Sequence, residues 1–210
     1  MARPPQDPQI RINEILDAAE PLFYSQGYHE TAISDIAKKL GVAQGTIYYY
    51  FASKEDLLEA LINREMADLI ARIKLTVHAG NATPTGKMQI AIQTLLQSLH
   101  REEGLVFEYL HNERAIHFLD RLSRQGKQLL APTLLEIIEA GNQEKCFRTP
   151  QPRVVVNIID AILDSLITAI YENLPAEQLH CQFKLSEEVI AYALGAPKGS
   201  LQFTIDNITP

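Results

Sequence analysis

Residues 43–51 read Ala-Gln-Gly-Thr-Ile-Tyr-Tyr-Tyr-Phe, a stretch rich in hydrogen-bonding tips and without a formal charge. With Ile47 and Phe51 turned to a core at i and i+4 of a helix, Gln44, Thr46, Tyr48 and Tyr49 fall on or near its outer surface. That combination suits a DNA major groove. Glutamine pairs bidentately with adenine, and threonine meets a thymine methyl or a phosphate. Gly45 lets the backbone come close, and Lys54, with the amides that open the next helix, offers a clamp for phosphate. The same residues also fit a plainer reading, in which a short helix-turn-helix is only bundle packing and the tyrosines are half-buried core.

The elements needed to hold this segment can be read on either side of it. Asp7-Pro8 supplies an N-cap and a proline at the first helical position, and Ile12, Ile15, Leu16, Ala19, Leu22 and Phe23 recur at helical spacing up to Gly27. The pattern predicts a helix over 8–26. A second helix is expected over 32–40, with Thr31 as cap, Asp35 in the first turn, and Gly41 ending it in a left-handed conformation. The third spans 43–51. Ser53 then caps a fourth, with Asp56 three residues on, that runs to about Lys74. Further helices are expected near 86–101, 104–111, 113–140, 152–173 and 185–194, with a non-helical tail from Gly195. No β-alternation competes with them. The fold class is all-α: a three-helix helix-turn-helix domain over 1–55, followed by a larger helical bundle for ligand binding and dimerisation over 56–210.

Charge contributes little to this reading. The net charge is −7, which argues against a non-specific nucleic-acid coat. Residues 1–54 hold five Lys/Arg against six Asp/Glu and are barely acidic rather than basic. No apolar run reaches the roughly 18 residues of a membrane-spanning helix, and the first eight residues lack a signal-peptide core, so a cytoplasmic location is expected. Cys146 and Cys181 form no CxxC pair and are read as packing residues. No Ser/His/Asp set, glycine-rich phosphate loop or Glu-x-x-His spacing points to an enzyme, and no cofactor or metal is expected.

Thr31 to Leu58 (Thr-Ala-Ile-Ser-Asp-Ile-Ala-Lys-Lys-Leu-Gly-Val-Ala-Gln-Gly-Thr-Ile-Tyr-Tyr-Tyr-Phe-Ala-Ser-Lys-Glu-Asp-Leu-Leu) resembles the DNA-binding signature of the tetracycline-repressor (TetR) family. Ile15 to Tyr28, with Ala18, Ala19, Phe23 and Gly27-Tyr28, resembles that family's first helix. The resemblance implies an Ω-shaped homodimeric regulator, most simply a repressor, that binds a near-palindromic operator and is released by a small-molecule effector. It places Gln44, Gly45, Thr46 and Tyr48 where the family touches bases or nearby phosphates, and Thr31, Tyr49 and Lys54 where it holds the backbone. Ala43 and Ala32 depart from the pattern, standing where the family usually has a hydroxyl.

The resemblance also makes the last two long helices a four-helix dimer interface. In the first of these Val155, Ile158, Ile159, Ile162, Leu163 and Leu166 are the expected interface residues, within a helix interrupted only by Asp160 and Asp164. An effector pocket is expected around His100, Phe107, Tyr109, His111, His117 and Phe118. Taken singly, these also fit surface histidines and core aromatics. His111 and His117 stand six apart, which does not suit a metal site on one helix face.

Overall fold

The computed structural model describes residues 7–99, 115–172 and 174–204. Among them are eight helices: α1 Pro8–Gln26, α2 Ile33–Leu40, α3 Gln44–Tyr50, α4 Lys54–Ala79, α5 Pro84–Leu99, α6 Ala115–Gln143, α7 Pro152–Tyr171 and α8 Ala176–Leu194. No strand occurs among the described residues.

Local chemistry accounts for the early boundaries. The Asp7 carboxylate accepts from the Gln9 amide at 2.9 Å, with Pro8 in the first turn, and Gly27 closes α1 at φ 87°. α2 begins without a hydroxyl cap. The Ala32 amide instead donates to the Asp35 carboxylate at 3.0 Å, so the reciprocal half of a capping box holds this end alone. Gly41 is left-handed at φ 71° and donates to the carbonyls of Ala37 and Lys38, turning the chain toward α3. Ser53 accepts from the Asp56 amide at 3.0 Å and starts α4.

The chain divides into two compact units: one boundary lies inside α4 between Glu65 and Met66, and the start of α6 up to Phe118 belongs to the first unit. The first has a core of Ile15, Ala19, Phe23, Ile36, Ile47 and Leu58, all essentially sealed from solvent. It extends past residue 55 because Leu57, Leu61 and Ile62 of α4 are buried too, and because Arg64 reaches Asp17 at 2.7 Å and Glu20 at 2.6 Å on α1.

The second unit has its own core, drawn from α4 beyond Met66, α5, α6, α7, α8 and the tail. α4 continues to Ala79, past the expected stop, because Ile73 and Val77 extend its buried stripe. α8 starts at Ala176 rather than near 185, since Leu179 and Phe183 begin the inward stripe that Glu187, Ile190 and Leu194 continue. The tail to Thr204 is non-helical, as expected, and is packed in place. Leu201 and Phe203 are buried, the Phe203 amide donates to Glu187 at 2.7 Å, and the Thr204 amide donates to Gln93 at 2.8 Å. The helix expected over 104–111 lies outside the described residues.

Candidate nucleic-acid interface and effector cavity

α3 lies outermost in the helix-turn-helix. Ile47 is fully buried beneath it, while Gln44, Gly45, Tyr48 and Tyr49 are exposed and Thr46 is half-buried. Tyr49 is 82% exposed and meets the Tyr50 ring edge-on at 5.0 Å. The side chains of Gln44, Thr46, Tyr48 and Tyr49 make no hydrogen bond among the described residues. Nothing lies within 4 Å of where a Cβ on Gly45 would sit, and its φ is ordinary. Packing within the unit therefore does not call for glycine there, at a cost of about 1 kcal/mol relative to alanine in a helix. The α3 end at Ala43 has no side-chain cap.

The remaining two sequence-predicted contacts are engaged elsewhere. Thr31 is fully buried, and its hydroxyl donates to the carbonyls of Gly27 at 2.8 Å and Leu22 at 3.2 Å. The Lys54 ammonium donates to the carbonyls of Tyr28 at 2.5 Å, Thr31 at 2.9 Å and His29 at 3.2 Å. It also lies 4.3 Å from the centre of the Tyr28 ring, a cation–π contact. Burial, reinforced by the charge of Glu55, pushes the Tyr28 phenol up to about 12. Thr31 and Lys54 thus pin the turn between α1 and α2, because three carbonyls left open by a non-helical turn need donors. Two cations that the sequence reading passed over, Lys38 and Lys39 in the last turn of α2, are exposed. Their place in the helix preceding α3 was the available signal.

In the second unit a cavity of about 260 Å³ opens among four helices. Its walls are mostly apolar, with Ile70 of α4, Leu95 of α5, Leu122 and Leu130 of α6, and Leu163 and Ile167 of α7. Gly126 on α6 faces Met66 there, with 3.6 Å between the Met66 sulfur and the position of a Cβ. The polar part is a small group. Lys127 pairs with Asp164, which also accepts from the Ser123 hydroxyl at 2.9 Å, and the Thr168 hydroxyl donates to the Asp164 carbonyl at 2.8 Å. Asp160, one turn before Asp164, lines the same cavity and has no hydrogen bond or ion pair among the described residues. Burial raises its carboxyl from 3.8 to about 6, Lys127 opposing the shift and Asp164 adding to it.

Of the sequence-predicted pocket, His100, Phe107, Tyr109 and His111 lie outside the described residues, as do the side chains of His117 and Phe118 in the first turn of α6. The sequence did carry a signal, namely two aspartates one turn apart interrupting an otherwise apolar helix. No group of three or more metal-binding side chains occurs among the described residues.

The expected interface residues of α7 divide between two faces. Val155, Ile159, Leu163 and Leu166 are buried within their own chain, and Leu163 lines the cavity. Ile158 is 38% exposed and Ile162 half-buried. The outward apolar stripes are Val154 and Ile158 on α7, with Leu185, Val189 and Tyr192 at i, i+4 and i+7 on α8, the helix packed beside it. Tyr192 is 89% exposed.

A family model described as "Bacterial regulatory proteins, tetR family" matches residues 15–61, which contain α2, α3 and most of α1. The chain is 40% identical over 92 residues to the fatty acid metabolism regulator protein of Bacillus subtilis, covering 44% of this chain and 47% of that protein. It thus spans about half the length of that relative. To the HTH-type transcriptional repressor KstR2 of Rhodococcus jostii it is 26% identical over 160 residues, covering 71% of this chain and 76% of that one. The crystal structure of the regulator FadR from Bacillus subtilis in complex with stearoyl-CoA superposes with a TM-score of 0.55 at 26% identity, covering 88% of this chain and 98% of that one.

Proposed function

We propose that this chain, whose residues 15–61 match the tetR family of bacterial regulatory proteins, is a repressor that binds a near-palindromic operator as a homodimer and lets go when a small molecule fills the cavity of its second unit. The observation that carries the reading is the outer face of α3. Four exposed or half-buried hydrogen-bonding side chains there have no partner within the described chain, above a fully buried Ile47 that fixes their direction. Unpartnered polar tips on a rigid, short helix match what base edges in a major groove require. Gln44, Thr46 and Tyr48 read bases. Gly45 admits the backbone to the groove, and Tyr49, Lys38 and Lys39 meet phosphates.

The outward stripes on α7 and α8 support two-fold pairing. Val154, Ile158, Leu185, Val189 and Tyr192 form an apolar surface of the kind that a second copy buries, and an isologous contact pairs the two reading helices on successive half-sites. Ile158→Asp is expected to yield monomers by light scattering and to lose operator binding while staying folded. A stable dimer would move the interface elsewhere.

Release requires that the effector bind the non-operator form more tightly. The cavity supports an effector that is small and largely apolar, and an acyl-CoA is a second reading, favoured by the stearoyl-CoA held in FadR. Gly126→Leu, which places a large side chain into the cavity beside Met66, is expected to leave a repressor that no effector releases from its operator. Normal release by that variant would exclude the cavity.

A further inference from the structure

We propose that the cavity of the second unit takes an apolar molecule carrying one protonated amine, with the ammonium seated against the Asp160 carboxylate. The proposal rests on the reading of that cavity as the effector site. Its basis is the balance of charge and partners in the lining. The described lining holds one cation, Lys127, and two carboxylates, Asp160 and Asp164. Lys127 and Asp164 are already paired, with Ser123 donating to the same carboxylate. Among the described residues Asp160 is left over, half-buried and without a donor, and it faces a space walled by leucine and isoleucine.

Three head groups meet different fates there. A carboxylate would be repelled by Asp160 and would have to compete with Asp164 for Lys127. A neutral apolar ligand would strip more water from Asp160 and return nothing. An ammonium supplies Asp160 with a donor and offsets the net negative charge of the described lining, while its apolar body covers Leu95, Leu122, Leu130 and Ile167. The raised carboxyl of Asp160 is the expected mark of a charge waiting for that partner. The volume of about 260 Å³ sits just under the roughly 300–1,000 Å³ of drug-sized pockets, which suits a ring or two with a short amine-bearing chain.

A matched ligand series on the full-length protein tests this by titration calorimetry, using 4-phenylbutylamine, 4-phenylbutanol, 4-phenylbutyrate and stearoyl-CoA. The amine should bind about tenfold or more tighter than the alcohol, the gain of one charge-assisted hydrogen bond, and the carboxylate most weakly. Asp160→Asn should remove the amine's advantage over the alcohol, and Gly126→Leu should abolish binding of all the phenylbutyl compounds. Tighter binding of the carboxylate or of stearoyl-CoA than of the amine would overturn the proposal, as would an amine preference that survives Asp160→Asn. Should that variant not fold, the wild-type series alone decides the charge preference. Equal binding of the phenylbutyl compounds would overturn the preference for a cation and leave the cavity as the effector site. No binding by either wild type or Gly126→Leu would remove both.

Discussion

The two units leave their polar groups unpartnered in opposite directions. In the first, the buried Thr31 and the half-buried Lys54 are engaged with backbone carbonyls, and Gln44, Thr46, Tyr48 and Tyr49, which have no hydrogen bond among the described residues, sit on the outer helix. In the second, Asp160, without a partner among the described residues, lines an apolar cavity within the unit, next to the Lys127–Asp164 pair. A polar surface that is open outward is matched to a large, rigid partner, whereas one that is open inward is matched to a molecule small enough to enter. On the proposed function, the direction in which hydrogen-bonding capacity is left unused separates the surface assigned to DNA from the cavity assigned to the effector.

The contrast is tested hardest at Lys54. With three carbonyl acceptors, it belongs to the fold of the first unit, and Lys54→Met should cost about 2–3 kcal/mol in stability by denaturant unfolding. A variant as stable as wild type, but with operator binding less sensitive to salt, would return Lys54 to the phosphate-binding set. Next in size is Gln44→Ala, expected to cost about 1–3 kcal/mol in operator affinity without change in stability. Tyr49→Phe should weaken binding to all sequences alike, because a phosphate contact positions without specifying.

The inward side is tested by Asp160→Asn. Folding raises the carboxyl of Asp160 from 3.8 to about 6 and so favours its protonated form. The stability that this form confers is fully present below pH 3.8 and is lost as pH rises through 6. The asparagine variant should therefore be more stable than wild type at pH 7, by about 1 kcal/mol once solvent screening of a half-buried group is allowed for, and the difference should vanish at low pH. A variant less stable at pH 7 would mean that Asp160 has a partner. The smallest effect is expected at Gly45→Ala. Stability should rise by about 0.5–1 kcal/mol, since the added methyl meets open space, while operator binding falls because the backbone is held off the groove.

The reading head was far more legible in the sequence than the cavity, for a physical reason. α1, α2 and α3 are defined by local signals: the Asp7-Pro8 start, the left-handed Gly41, and Ile47 against Phe51 at one turn's spacing. Outward-facing side chains follow from that spacing alone. The bonds of Thr31 and Lys54 to the turn were not legible because their partners are backbone carbonyls, and no residue type announces a carbonyl left without a donor. The cavity needs Met66, Leu95, Gly126 and Asp160, from four helices distant in the chain, to converge, and such convergence has no local signature. The division of α7 also depends on tertiary context. Ile158 and Ile159 are adjacent apolar residues on a helix apolar around more than one stripe, and only tertiary packing shows that Ile159 is core and Ile158 is not. α8 started earlier than expected because the stripe through Leu179 and Phe183 follows Pro175 directly, with no polar cap to mark it.

The most direct test is a selection of bound DNA from a random library, run in parallel with wild type and Gln44→Ala. Wild type should enrich a near-palindromic site, and the variant should relax preference at one symmetry-related position in each half-site while leaving the others unchanged. Failure of wild type to enrich any sequence, or identical preferences for the two proteins, would contradict the assignment of the outer face of α3 as the surface that reads DNA.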